Sequence, residues 1–109
     1  MNILIIGGYG TFGYGMADLL SNESELTITL AGRNFVKAEA ACAELSGAAT
    51  ILPLKLDRNG DLAAQIETPP DVIIDASGPF QNYGDGKRDN VSDYALAQSC
   101  HYLDIADDL

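Results

Sequence analysis

The feature that most restricts this chain is the join near its start, "ILIIGGYGTFGYG", residues 3–15. Four apolar residues pass directly into a cluster made by Gly7, Gly8, Gly10, Gly13 and Gly15. Glycine weakens helix and strand interiors by roughly 0.5–1 kcal/mol relative to alanine, so a cluster of this density has to serve the backbone. The uninterrupted apolar run reads as a strand buried on both faces, and the residues after it carry helical spacing. A strand that turns through glycines into a helix can bring backbone N–H groups up to an anion.

The same alternation continues along the chain. Residues 2–6 predict a strand, and residues 11–22 a helix with Phe12, Met16, Leu19 and Leu20 on its inner face. Residues 26–31 are β-branched and end at Gly32. Asn34 then serves as the N-cap of a helix running to Leu45, with Phe35, Ala38, Cys42 and Leu45 turned inward. Residues 50–56 predict a third strand, and Pro53, which has no N–H to donate, places it at a sheet edge. A short helix over 61–67, a strand over 71–76, a helix over 90–100 and a strand over 101–106 complete the order.

Alternating strands and helices with continuously apolar strands imply an α/β fold, a parallel sheet covered by helices on both faces. Right-handed crossovers give the strand order 3-2-1-4-5, a three-layer, doubly wound sheet of Rossmann type. The order puts the proline-bearing third strand at the edge, where its composition had already put it.

At 109 residues the chain makes one domain, taken here as residues 1–109. Its net charge of −10 argues against a nucleic acid partner, which needs a basic footprint. It leaves room for a small phosphorylated ligand held by helix-terminal N–H groups and one arginine. No apolar run approaches the ~20 residues of a membrane span, and no basic, apolar and cleavable leader follows Met1, so the expectation is a cytoplasmic protein. Cys42 and Cys100 stand far apart and outside any metal-binding spacing, which points to two reduced thiols, with no disulfide and no metal.

In a doubly wound sheet the first strand–helix turn is where a dinucleotide pyrophosphate binds. "GYGTFG", residues 8–13, fits G-x-G-x-x-G in that setting. Gly8 makes the tight turn, Gly10 admits the pyrophosphate, and Gly13 lets helix and strand pack closely. The N–H groups of Gly10, Thr11 and Phe12 face the anion. Gly7, Gly10 and Gly13 also fit the G-x-x-G-x-x-G spacing of short-chain dehydrogenases and epimerases. The Tyr83 and Lys87 that such a reading needs fall in the glycine-broken "YGDGK", a loop that cannot align them.

An NAD site usually carries an acid about 20 residues past the glycines. Here that register holds Arg33, and no carboxylate occurs between Leu26 and Asn34. An arginine there can fork onto a 2′-phosphate, so the expected cofactor is NADP rather than NAD, with Asn34 either a further donor or simply a cap. Asp57, after the third strand, either reaches an adenine amino group or starts the "DRNG" turn. Ser77, Gly78 and Pro79 follow the fourth strand, where backbone can pass near the pyrophosphate and the nicotinamide ribose; Phe80 beside them reads as a packing residue. His101 opens the fifth strand at the amino edge, away from any ligand, and is set aside as a catalyst. Asp104, Asp107 and Asp108 lie at the ligand-side end of that strand.

Taken in order, "GGYGTFG", "AGR", "DASGPF" followed by "YG", and "CHYLDIADD" resemble the amino-terminal domain of the saccharopine dehydrogenase family over nearly the whole chain. The resemblance implies a Rossmann domain binding NADP, joined to a carboxyl-terminal domain that completes the substrate site and often forms a homodimer. It also matches Gly8, Gly10, Thr11, Phe12 and Gly13 to the pyrophosphate loop, Arg33 to NADP selection, and Ser77, Gly78 and Pro79 to the nicotinamide side. The expectation is that these residues form the cofactor domain of a longer oxidoreductase, binding NADP but not turning over alone. A nucleotide-sensing module without catalysis, and a domain that only scaffolds, are the competing expectations.

Overall fold

The computed structural model describes residues 1–7, 9–45, 47–76 and 90–104, with the side chains of Thr11 and Phe12 outside the description. The elements alternate as β1 (Asn2–Ile6), α1 (Thr11–Leu20), β2 (Thr27–Gly32), α2 (Phe35–Glu44), β3 (Thr50–Lys55), α3 (Leu62–Gln65), β4 (Val72–Asp75), α4 (Asn90–Ala97) and β5 (His101–Asp104). All four strand pairings are parallel, in the order β3-β2-β1-β4-β5. Pro53 pairs with Leu30 on the edge strand β3, as its missing N–H requires.

The central strands β1, β2 and β4 are largely apolar and covered on both faces, whereas the edge strands β3 and β5 are more exposed. Ile3 and Ile5 of β1, Ile28 and Leu30 of β2 and Ile74 of β4 pack with Ala17, Ala41 and Leu45 from α1 and α2. Leu4, Ile6, Ala31 and Ile73 point the other way, to Leu62 and Ile66 at α3 and to Val91, Tyr94 and Ala95 of α4. Each fully buried aliphatic side chain among these contributes about 1.5–3 kcal/mol. The sheet therefore separates two cores and fixes the ends of β1 and β4 between them. No described helix is long and apolar enough to cross a membrane.

Two helix faces differ from expectation. Leu19 is 75% exposed and Phe35 is 42% exposed, whereas Ala17 and Ala41, which were not expected inside, are buried; Ala38 and Leu45 are buried as expected. In α1 the seam against the sheet runs through Gly13, Ala17 and Ser21, with Met16 and Leu20 flanking it half-buried. Small residues at four-residue spacing let the helix sit close to the strands, and Leu19 is then left on the outer side. In α2 the seam runs through Ala38, Ala41 and Leu45, and Phe35, in the first turn, stands at the carboxyl rim of the sheet. The helices α1, α3 and α4 are also shorter than predicted, and Cys100 follows α4 rather than lying in it.

Candidate functional site

The sheet order reverses between β1 and β4, and the carboxyl ends of these strands open the crevice in which such folds bind ligands. Gly7, just past β1, has φ of 79°, a left-handed conformation that glycine adopts without cost. Its N–H donates to the Ala31 carbonyl at 2.7 Å, and its own carbonyl accepts from the Gly10 N–H at 2.9 Å. Gly7 thus takes a left-handed step at the head of the turn; Gly8, expected to make the tight turn, lies outside the described residues.

Gly10 is the N-cap of α1 and supplies no side chain to its first turn. By contrast, Asn34 caps α2 by accepting from the Lys37 N–H at 3.1 Å, and Asp61 caps α3 by accepting from the Ala64 N–H at 3.3 Å. The first N–H groups of a helix have no intrahelical acceptors, so those of Thr11, Phe12 and Gly13 are left for an anion. A Cβ on Gly10 would meet the Gly7 carbonyl oxygen at 3.3 Å, so the absence of a side chain keeps the approach to these groups open.

In front of this turn lies a cavity of about 310 Å³, bordered by Gly7, Tyr9, Gly10, Gly32, Arg33, Arg58 and Ala76 among others. It joins the carboxyl ends of β1, β2, β3 and β4. A second hollow of equal volume is lined by Asn2, Thr27, Thr29, Leu52 and Pro70. That one lies on the sheet face over the amino halves of the strands, without an arginine or a helix start, and has no chemistry for a dinucleotide.

Arg33 lies where its register predicted, exposed at the mouth of the first cavity. It has no ion pair or side-chain hydrogen bond among the described residues. Asn34 spends its side-chain oxygen on the cap of α2, which meets the more ordinary of its two expected roles. Asp57 Oδ1 accepts from the Asn59 N–H at 3.0 Å, and its carbonyl accepts from the Gly60 N–H at 3.0 Å. The turn role of Asp57 is thus present in the geometry. Ser77, Gly78, Pro79 and Phe80 lie outside the described residues, as do Tyr83, Lys87, Asp107 and Asp108. His101 stands at the amino end of β5, paired with Val72, far from the crevice.

Two residues were missed in the sequence. Tyr9, the variable position inside the glycine loop, accepts the Asn34 N–H on its phenol oxygen at 3.1 Å. Its ring lies so close over Gly32 that a Cβ there would stand 2.3 Å from it. Arg58 borders the same cavity and meets the fully buried Asp75 at 2.5 Å. The Arg58 turn is held from outside as well, since Asn90 Nδ2 donates to the carbonyls of Arg58 at 2.7 Å and Gly60 at 2.8 Å. Arg58 stands three residues past the end of β3, next to Asp57, and nothing in the sequence around it marks its role.

Cys42 and Cys100 are free thiols, and burial pushes both up from the ordinary thiol value, with smaller contributions from Glu39 and Asp71 respectively. The Cys100 thiol donates to the Pro70 carbonyl at 2.9 Å. Among the described residues no group of three His, Cys, Asp or Glu could hold a metal ion.

An all-parallel 3-2-1-4-5 sheet with an uncapped, glycine-started helix after its central strand defines a Rossmann-type nucleotide-binding domain. The family model for the saccharopine dehydrogenase NADP binding domain matches residues 3–107. The chain belongs to this family, and its cofactor is NADP. The residues present suit that cofactor, with an open helix start for a pyrophosphate and an arginine in place of the acid that NAD would call for.

Among solved structures, one described as a betaketoacyl-ACP reductase matches with a TM-score of 0.63 and 18% identity, over 95% of this chain and 53% of its own. An uncharacterised protein from Mycobacterium paratuberculosis matches with a TM-score of 0.55 and 24% identity, over 67% of this chain and 28% of its own. At these identities the likeness speaks to the fold alone. The chain spans about half or less of the length of these structures. The comparison with curated proteins gave no match.

Proposed function

We propose that this chain is the cofactor-binding part of an NADP-dependent oxidoreductase, with the substrate held by residues outside these 109. The observation that carries the reading is the pairing of two unanswered donors across one cavity. One is the uncapped start of α1 and the other is Arg33, which has no partner among the described residues. In this reading the backbone N–H groups of Gly8, Thr11, Phe12 and Gly13 hold the pyrophosphate, while Gly10, whose own N–H is taken by the Gly7 carbonyl and does not face the anion as expected, lets it approach. Arg33 forks onto the 2′-phosphate, and Asn34 keeps α2 in place behind it. Asp57 shapes the turn at the adenine end, and Ser77, Gly78 and Pro79 pass beside the nicotinamide ribose.

The bound cofactor would carry the hydride, giving it up as NADPH or accepting it as NADP+; the protein contributes placement and the exclusion of water. The match to the family supports oxidoreductase chemistry over sensing alone.

The test is a calorimetric titration of the protein with NADPH and NADH, repeated for Arg33→Ala. NADPH is expected to bind at least ~10-fold tighter, a gap of about 1.4 kcal/mol, and the variant to lose most of that preference. Equal affinity for the two cofactors in the wild-type protein would remove Arg33 from the role given to it.

A further inference from the structure

The geometry points to Tyr9 as a specificity-determining residue for NADP, its phenol O–H donating to the 2′-phosphate while its oxygen holds the Arg33–Asn34 turn by accepting the Asn34 N–H. The inference rests on the reading of Arg33 above and adds a residue from a different element, the glycine loop itself.

The ring is fixed by two contacts rather than by general packing. It lies over Gly32, where there is no room even for a Cβ, and its oxygen receives the Asn34 N–H at 3.1 Å. A phenol oxygen that accepts one hydrogen bond still carries its own proton to donate. That proton has no acceptor among the described residues. Arg33, next to the same turn, likewise has no acceptor, and Lys37 one helical turn further on has no ion pair.

Tyr9 and Gly10 border both the cavity that holds Arg33 and the adjoining hollow that holds Lys37. The chain has 16 acidic residues and only 6 lysines and arginines. Cations left without carboxylates are unexpected in so acidic a protein unless an anion from outside is to meet them. Glu44 is the carboxylate in the second hollow, beside Lys37. No carboxylate borders the first cavity among the described residues. Along the first cavity the Tyr9 phenol and the Arg33 guanidinium are donors with no carboxylate beside them, which suits a phosphate dianion and gives nothing to a ribose 2′-hydroxyl seeking an acceptor.

The test is Tyr9→Phe, which keeps the ring and removes only the oxygen. Wild type and variant are titrated with NADPH, NADH, adenosine 2′,5′-bisphosphate and adenosine 5′-monophosphate, with thermal melts to verify the fold. The variant is expected to lose about tenfold in affinity for the two ligands that carry a 2′-phosphate, the scale of one hydrogen bond to a charged group, with NADH and the monophosphate nearly unchanged. An equal loss for all four ligands would make Tyr9 a structural support only and overturn the proposal, as would no change for any of them. A wild-type protein without preference for NADPH overturns the Arg33 reading and this one with it. A wild-type preference that survives intact in Tyr9→Phe overturns this one alone.

Discussion

The guanidinium of Arg58 meets the carboxylate of Asp75 at 2.5 Å across the carboxyl ends of β3 and β4, with Asp75 fully buried. Tyr102 adds a longer hydrogen bond, 3.4 Å, to the same carboxylate oxygen. Removing one member leaves the other charge buried without its counterpart, which typically costs about 3–5 kcal/mol. Asp75→Ala is expected to destabilise the protein by about 3 kcal/mol in urea unfolding. The paired change Arg58→Met with Asp75→Leu should cost clearly less than the two single changes summed. Additive losses would show that the two residues do not act as a pair.

Gly32→Ala tests the closeness of Tyr9 to β2. The new Cβ would overlap the ring, which can only move away and give up the Asn34 N–H. The expected loss is about 1–3 kcal/mol of stability, the range for overpacking, together with weaker NADPH binding. Adding Tyr9→Ser should restore stability toward wild type without restoring affinity. A Gly32→Ala protein that melts like wild type would contradict the contact.

Gly10→Ala separates folding from binding. Its Cβ meets only the Gly7 carbonyl oxygen, at 3.3 Å, so a stability change below about 1 kcal/mol is expected. The same methyl group stands at the open start of α1, and NADPH affinity should fall by tenfold or more, about 1.4 kcal/mol or above. Unchanged affinity would place the pyrophosphate somewhere other than this helix start.

Alkaline pH should destabilise the fold. Burial, the leading cause in each case, raises Cys42 and Cys100 above the ordinary 9.0, and Tyr14 and Tyr94 above the ordinary 10.0. The carboxylates of Glu44 and Asp18 add to the shift of Tyr14, and Cys100 to that of Tyr94. The unfolded chain gives up these protons at the ordinary values while the folded chain retains them, so the native state binds more protons there. Their contribution is fully present below about pH 9 and is lost as pH rises through the raised values. Melting temperature is the measure, and a rise between pH 8 and pH 10.5, rather than the expected fall, would reverse the sign. Both thiols should also alkylate more slowly at neutral pH than an unfolded control.

Strand order was legible because it follows from few facts. The uninterrupted apolar strands imply two covered faces, and Pro53 names the edge. Helix faces were less legible. Leu19 and Phe35 looked like core residues by hydrophobicity, but close approach to the sheet selected Ala17 and Ala41 instead. The place of Arg33 at the mouth of the cavity could be read from its register, because a fold-wide spacing fixes it. Tyr9 and Arg58 could not, since each acquires its role through a partner distant in sequence, Asn34 at 25 residues and Asp75 at 17. A residue whose meaning is set by a contact across strand ends leaves no local pattern to find.

Pro53 also has a bearing on assembly. Among the described residues the sheet ends in two rims, β3 and β5, and an exposed rim is a template for pairing with another chain. On β3 that template is interrupted at its middle by a residue with no N–H to offer. Growth by strand addition, whether from more of the same polypeptide or from a neighbour, is thereby steered to the opposite rim at β5. The crevice between β1 and β4 lies nearer that side, so any such addition would build outward beside the cofactor cavity rather than behind it.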